Sequence, residues 1–407
     1  MTSHHPTPAI PGVVEPPVVL QVLPALKDGG VEKSAIEMAF YIKAQGWTPL
    51  VASAGGPKER LLTSDGIRHL TLPLQSKMPW SILWNAVRLA RILRQYDVTL
   101  IHARSRAPAW SAWLASRMTG VAFITTFHGT YGLSGGWLKR FYNSIMVRSA
   151  VIIANSAFIK AHIIENYYIP AERITVAARG VEPDVWNPAR FTKNDIAAVR
   201  EELSVREGVP LVLMVGRITR WKGHDLVLEA LGELTDMEWV LGIAGGIDKD
   251  SPYGIELMAR TEALGIAERI RWLGSRSDIP RLLAASALAV SGSTRPEAFG
   301  RVAIEAMAMR VPVVATGIGG SLETIQDGIT GWLVMPEPNK VNATVRFGEF
   351  EPQAMARKLR EALQNPKRLL TMGHAARAHV LATYTVDQCC GAELQAYKQV
   401  LGRTLDS

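Results

Sequence analysis

Short, nearly continuous runs of apolar and β-branched residues alternate along this chain with amphipathic stretches of ten to fifteen residues. In the first half the runs predict strands at 18–26, 49–54, 99–103, 123–127, 151–155 and 174–178. Helical periodicity falls between them at 31–45, 79–95, 108–117, 137–148 and 157–167. The second half repeats the plan, with strands at 211–215, 239–244, 270–273, 288–291, 313–316 and 332–334. Its helices are expected at 225–234, 254–264, 280–285, 302–309 and 322–326. Strands that are apolar on both faces and joined by helices belong to parallel sheets covered on both sides. Two such sets predict two doubly wound α/β domains, with ligands at the carboxyl ends of the strands and hence in a cleft between the domains.

Punctuation divides the chain. Residues 180–210 hold Pro183, Pro188, Gly208 and Pro210 around a short polar helix pattern, and read as a linker or hinge. The expected organisation is a disordered leader over 1–17, a first domain over 18–190 and a second over 191–378. A C-terminal helix over 379–407 is expected to cross back to the first domain. The Asn-, Lys- and Glu-rich stretch 337–352 reads as a surface loop.

Composition narrows the class. With 48% hydrophobic and 20% charged residues in 407, the chain is a globular protein and not a disordered one. Its two cysteines, Cys389 and Cys390, are adjacent and form no disulfide framework, which suits a reducing cytoplasm. No stretch approaches the roughly 18 apolar residues of a membrane span, and the N-terminus lacks the basic start and apolar core of a signal peptide. Charge is uneven: residues 18–190 carry 20 basic against 10 acidic side chains, and 191–407 carry 25 against 26. A basic first half points to an anionic partner. The basic residues fit no nucleic-acid reading module, so nucleic acid is not the expected one.

Several constellations fall at strand ends. Asp28-Gly29-Gly30-Val31-Glu32 follows the first strand and opens the first helix, where glycines and a helix N-terminus let backbone amides approach an anion. It also fits an ordinary tight turn. In the second half, Gly216-Arg217 ends a strand and Lys222-Gly223 precedes a helix; two cations beside free amides suit a diphosphate. Next comes Glu297-Ala298-Phe299-Gly300, with Glu305 in the helix that follows. Several ångströms of helical rise between Glu297 and Glu305 suit two grips on one elongated ligand better than an acid and nucleophile flanking a single bond. His128 follows another strand, as do His102, Arg104 and Arg106, whose arginines could face an anionic acceptor. Gly317-Ile318-Gly319-Gly320-Ser321 reads as a second anion-binding turn. No metal-ligand spacing and no Ser-His-Asp arrangement stands out.

Together these residues resemble glycosyltransferase family 4, retaining enzymes of the GT-B fold, in which two Rossmann-like domains face each other across a cleft. The resemblance runs from Val18 to about Leu401. It is strongest in Gly216-Arg217…Lys222-Gly223 and in Glu297-Ala298-Phe299-Gly300…Glu305, with Gly331-Trp332-Leu333-Val334 following Asp327-Gly328. It implies a hexosyltransferase using a nucleotide-diphosphate sugar without a metal or other cofactor. Arg217 and Lys222 would bind the diphosphate, Glu305 the ribose, and Glu297 with the backbone near Phe299 and Gly300 the sugar. His128 would lie beside the hexose and Gly30 near the phosphates, with Gly29 and Gly216 lining the donor site. Arg104 stands where many relatives carry a second histidine after His102.

The acceptor side rests on two segments. Pro79-Trp80-Ser81-Ile82-Leu83-Trp84, followed by Arg88, Arg91 and Arg94, combines aromatics with arginines, as does Trp137-Leu138-Lys139-Arg140-Phe141-Tyr142. Such helices can lie on an anionic membrane surface; the pattern equally fits helices that bury Trp and Leu with Arg outside. The expected acceptor is a cell-surface glycan or lipid-linked sugar of lipopolysaccharide-core or exopolysaccharide assembly, handled at the inner face of the cytoplasmic membrane. Competing readings are an epimerase or hydrolase of the same fold, a phosphorylase, and a non-catalytic sugar-nucleotide-binding subunit. A pyridoxal-binding lysine of the best-known phosphorylase type is not identifiable.

Overall fold

The computed structural model describes residues 16–27, 29–132, 136–246, 251–337 and 350–405. Asp28, the leader up to residue 15 and most of the 337–352 loop lie outside them. By contacts the chain divides into two units. One takes the chain up to Ile153, Asn166–Thr175 and the segment from Glu393; the other takes Ala154–Glu165 and Val176–Ala392. Residues 176–190, placed by their sequence in the first domain, therefore pack with the second unit. The final helix is shared out at Glu393.

The first half contributes β1 (Val18–Val22), α1 (Gly30–Ala44), β2 (Thr48–Ser53), α2 (Glu59–Ser64), β3 (Arg68–Thr71), α3 (Pro79–Gln95) and β4 (Leu100–Ala103). It continues with α4 (Arg106–Thr119), β5 (Ala122–Phe127), α5 (Gly136–Ser144), β6 (Ile152–Ala154), α6 (Ala157–Tyr167) and β7 (Ile174–Val176). The seven strands are ordered β3-β2-β1-β4-β5-β6-β7. Six were expected from the sequence. The seventh, β3, is an edge strand whose half-buried His69 and Leu70 lie between exposed Arg68 and Thr71, with no apolar run to announce it.

After α7 (Lys193–Glu202), closed by a Thr192–Asp195 capping box, come β8 (Leu211–Val215), α8 (His224–Gly232), β9 (Val240–Ala244), α9 (Pro252–Ala263) and β10 (Ile270–Gly274). Then follow α10 (Ile279–Ala284), β11 (Leu288–Ser291), α11 (Arg301–Ala308), β12 (Val313–Thr316), α12 (Ser321–Thr324) and β13 (Gly331–Val334). Three helices complete the chain: α13 (Pro352–Leu363), α14 (Pro366–Thr383) and α15 (Val386–Leu405). The second sheet is ordered β10-β9-β8-β11-β12-β13, and its strands pair in parallel.

Alternation along the strands explains the layering. Leu211, Leu213, Ala289, Val313, Ala315 and Leu333 point into one core with α11, while Val212, Met214, Val290, Val314, Trp332 and Val334 point into another with α8 and α13. Both faces of the sheet are buried, which is why its strands read as unbroken apolar runs. In each sheet the order reverses at the first strand, between β1 and β4 and between β8 and β11. A crevice at the carboxyl ends of those strands follows from the topology.

The helices α3 and α5 differ from the burying alternative. α3 turns Asn85, Ala86, Leu89, Ala90 and Leu93 inward, but leaves Trp80 (67% exposed), Leu83 and Trp84 in solvent. On α5, Trp137 (74% exposed), Leu138 and Phe141 are exposed as well. The aromatics, and not only the arginines, face outward. Among the described residues no helix is long and apolar enough to cross a membrane.

Candidate functional site

The second unit's crevice is built from loops packed backbone to backbone at glycines that have no room for a Cβ. After β8 the backbone passes Gly216, which donates its N–H to the Ala244 carbonyl at 2.9 Å. A Cβ on Gly245 would overlap the Gly216 carbonyl. Gly223 is left-handed, at φ 65°, and a Cβ there would lie inside the Gly292 carbonyl oxygen. The turn after β8 is thus pressed against the exit of β11, and the Thr294 N–H donates to the Trp221 carbonyl at 2.8 Å.

This packing sets Lys222. Its Nζ stands 4.6 Å above the Trp221 ring and donates to Glu297 Oε1 at 2.8 Å. Ser293 Oγ donates to the same oxygen at 2.5 Å. The two charged side chains are 15% and 21% exposed, so their attraction is screened less than that of a surface pair. Arg217 is exposed, and its side chain has no ion-pair or hydrogen-bond partner among the described residues. His224, the next residue after Gly223, is buried. Desolvation, with the Lys222 charge adding to it against the Thr219 backbone and Asp225, holds its pKa down at about 4. The imidazole is neutral near pH 7 and puts no further charge beside Lys222.

Glu297 is held from behind. Its carbonyl accepts the Gly320 N–H at 2.9 Å, and it forms an isolated parallel bridge with Gly319. Side chains at Gly319 or Gly320 would run into the backbone of Glu297 and Phe299. The 317–321 turn, expected to be an anion nest, is instead the support of the Glu297 loop: its glycines are there for close backbone approach. Phe299 is buried and meets Tyr384 edge-on at 5.5 Å, so its side chain is a core anchor. Gly300, at φ 80°, turns the chain into α11. One turn into that helix Glu305 accepts from Arg301 Nε at 3.1 Å, and Arg301 also donates to the Gly180 carbonyl at 2.9 Å. A small pocket is lined by Ser293, Glu297, Gly300, Ala303, Thr316 and Ser321. The second unit therefore gathers Gly216, Arg217, Lys222, Glu297, Ala298, Phe299, Gly300 and Glu305 around the ends of β8, β11 and β12.

In the first unit, α1 starts at Gly30, around which a Cβ would meet nothing within 4 Å, while the Glu32 carboxylate folds over Gly29. His128 is partly exposed just past β5. Arg106, opening α4, donates to Asn143 Oδ1 at 2.9 Å and lies 4.4 Å from the centre of the Tyr131 ring.

His102 and Arg104 require a correction. Both are fully buried. Arg104 donates to Gln21 Oε1 at 2.6 Å and pairs with Glu393 of α15. His102 lies 2.7 Å from Tyr397 Oη and 2.7 Å from Thr126 Oγ1. Because Tyr397 donates to Glu393 at 2.9 Å, the network puts an imidazole proton on Nδ1, which donates to the Tyr397 oxygen. Neither residue faces an acceptor. They anchor the end of α15 to the first sheet. A glutamate within the buried face of α15, among Cys389, Cys390, Leu394, Tyr397 and Val400, is the sequence signal that a buried cation must answer it.

Comparison with known proteins agrees with this architecture. The model of glycosyltransferase family 4 matches residues 28–185 and that of glycosyl transferases group 1 matches residues 195–379. The D-inositol 3-phosphate glycosyltransferase of Mycobacterium marinum is 31% identical over 403 residues, covering 92% of this chain and 82% of that protein. A crystal structure of a glycosyltransferase from Rickettsia africae superposes with a TM-score of 0.86 at 36% identity, covering 95% and 99% of the two chains. Anabaena Alr3699/HepE, solved in complex with UDP and glucose, shares the fold at a TM-score of 0.80 and 23% identity, over 94% and 99%. The chain belongs to glycosyltransferase family 4. Its fold is GT-B, with two Rossmann-like domains, and its activity is glycosyl transfer.

Proposed function

We propose that the chain transfers a hexosyl group, with retention and without a metal ion, from a nucleotide-diphosphate sugar to a hydroxyl of a lipid-linked or cell-surface glycan. The observation that carries the donor assignment is the grouping of Arg217, Lys222, Glu297 and Ser293 at the carboxyl ends of β8 and β11. Lys222 and Arg217 take the diphosphate and stabilise the charge that grows on it as the bond to the sugar breaks. Glu305 binds the ribose. Glu297, with the backbone at Ala298, Phe299 and Gly300, holds the sugar. Gly29, Gly30 and His128 take the parts the family resemblance implies for them, near the phosphates and the hexose. The acceptor oxygen attacks the anomeric carbon from the face the diphosphate leaves. Its proton passes to the departing phosphate oxygen, so the sugar carbon exchanges one C–O bond for another with no change of configuration. UDP bound to the Anabaena neighbour supports a nucleotide donor of this kind.

The test is a thermal-shift panel of UDP, GDP and ADP with their hexose conjugates. A ligand at 100 times its Kd stabilises the folded chain by about 2.7 kcal/mol. One base series is expected to shift the melting curve; no shift from any of them removes the donor assignment.

For the acceptor, the exposed Trp80, Leu83, Trp84, Trp137, Leu138 and Phe141 beside Arg88, Arg91, Lys139 and Arg140 support work at an anionic membrane face. We place the enzyme there, on the cytoplasmic side. Neutralising those four cations is expected to abolish sedimentation with anionic vesicles at moderate salt. Undiminished binding would exclude the membrane face. A phosphorylated small-molecule acceptor is the second reading, favoured by the name of the Mycobacterium marinum relative and by the basic first half of the chain.

A further inference from the structure

We infer that Lys222 and Glu297 form an exchange pair that favours the sugar-bearing nucleotide and drives off the sugar-free one. The inference rests on the reading that Lys222 receives the donor diphosphate. Of the two cations at the end of β8, Arg217 stands exposed, while Lys222 is already neutralised by Glu297 at 2.8 Å. An anion can pair with Arg217 without disturbing its neighbours. To pair with Lys222 it must displace a carboxylate.

The displaced carboxylate is the source of selectivity. Glu297 is four-fifths buried and its backbone is pinned by Gly320, so a carboxylate that loses Lys222 in place stays largely out of water. Once Lys222 turns to a diphosphate, Ser293 remains as a donor to Glu297, with new negative charge nearby. A partly buried carboxylate short of a donor is costly. A sugar attached to the diphosphate brings hydroxyls that donate to Glu297 and offset this cost; a bare nucleoside diphosphate brings none. Bare product therefore competes with Glu297 for Lys222, and transfer of the sugar restores the Lys222–Glu297 pair as product leaves. Glu297 thus acts twice, holding the sugar before transfer and reclaiming the lysine after it.

Calorimetric titration of UDP, GDP and ADP, each with and without hexose, into wild-type, E297Q, K222M and doubly substituted protein tests this. The nucleoside diphosphate that binds wild type is expected to bind E297Q about tenfold tighter, equivalent to ~1.4 kcal/mol. Its hexose conjugate gains nothing, and the tenfold gain vanishes in the K222M background. Ser293→Ala, which leaves Glu297 more dependent on Lys222, is expected to weaken bare-diphosphate binding. Diphosphate binding by wild type that is unchanged or weaker in natively melting E297Q, unchanged in Ser293→Ala, or equally enhanced without Lys222 overturns the exchange. If no nucleotide binds wild type, the donor assignment itself falls, and the exchange with it.

Discussion

Lys222→Met lowers kcat/KM by about two to three orders of magnitude, the range found when one preorganised donor to a developing anion is removed. Arg217→Ala costs about tenfold, because its guanidinium is exposed and screened by water and salt. The difference follows from position. The backbone that carries Lys222 is fixed, since Gly223 is packed on Gly292, so only the lysine side chain has to turn from Glu297 to reach the diphosphate. A cation that contacts the diphosphate in donor and transition state alike raises KM when removed. One whose grip strengthens as charge develops also lowers kcat. Both parameters are expected to change for Lys222, and mainly KM for Arg217. Initial rates against donor concentration separate the two, and a Lys222→Met enzyme within threefold of wild type would end the assignment.

Glu393→Ala destabilises the chain by about 3–5 kcal/mol, as expected for one partner removed from a buried pair. Arg104 is fully enclosed, and without Glu393 its charge loses the anion that offsets its desolvation. Tyr397 loses its acceptor at the same time. Replacing both charges, Arg104→Met with Glu393→Leu, is expected to recover most of the loss, because apolar groups of similar size leave no buried charge unpaired. Denaturant unfolding followed by tryptophan fluorescence reads both variants. A Glu393→Ala protein as stable as wild type would show that the pair does not hold α15 to the first sheet.

The fold was largely legible because parallel strands buried on both faces cannot hide their apolar runs. All six strands of the second sheet fall within a residue or so of the positions their runs predict. What escaped was the half-exposed edge, β3 with α2, where a short polar strand needs only a neighbour's backbone to form. The motif Gly216-Arg217…Lys222-Gly223 and the Glu297 loop stand at strand ends as their spacing requires. The pairing of Lys222 with Glu297 was not legible, since 75 residues separate them and no local pattern reports which loops meet across a crevice. His102 and Arg104 misled for a related reason: a strand's carboxyl end is an open rim only where no later segment covers it, and α15 covers this one. The exposed tryptophans of α3 and α5 show the limit of periodicity alone. An aromatic stripe at helical spacing has a partner face, but the spacing does not say whether protein or something else supplies it.

The glycines around the second unit's crevice constrain how this enzyme can change over evolutionary time. Gly223 against Gly292, Gly245 against Gly216, and Gly319 with Gly320 against the Glu297 loop are main chain resting on main chain. A substitution at any of them moves the frame before it alters the chemistry. Change without loss of the frame is open to side chains that line the pocket, such as those of Ser293, Val302, Ala303 and Ser321. The frame is therefore a fixed socket with few adjustable pins, and a library aimed at those pins varies the pocket while the glycines stay untouched.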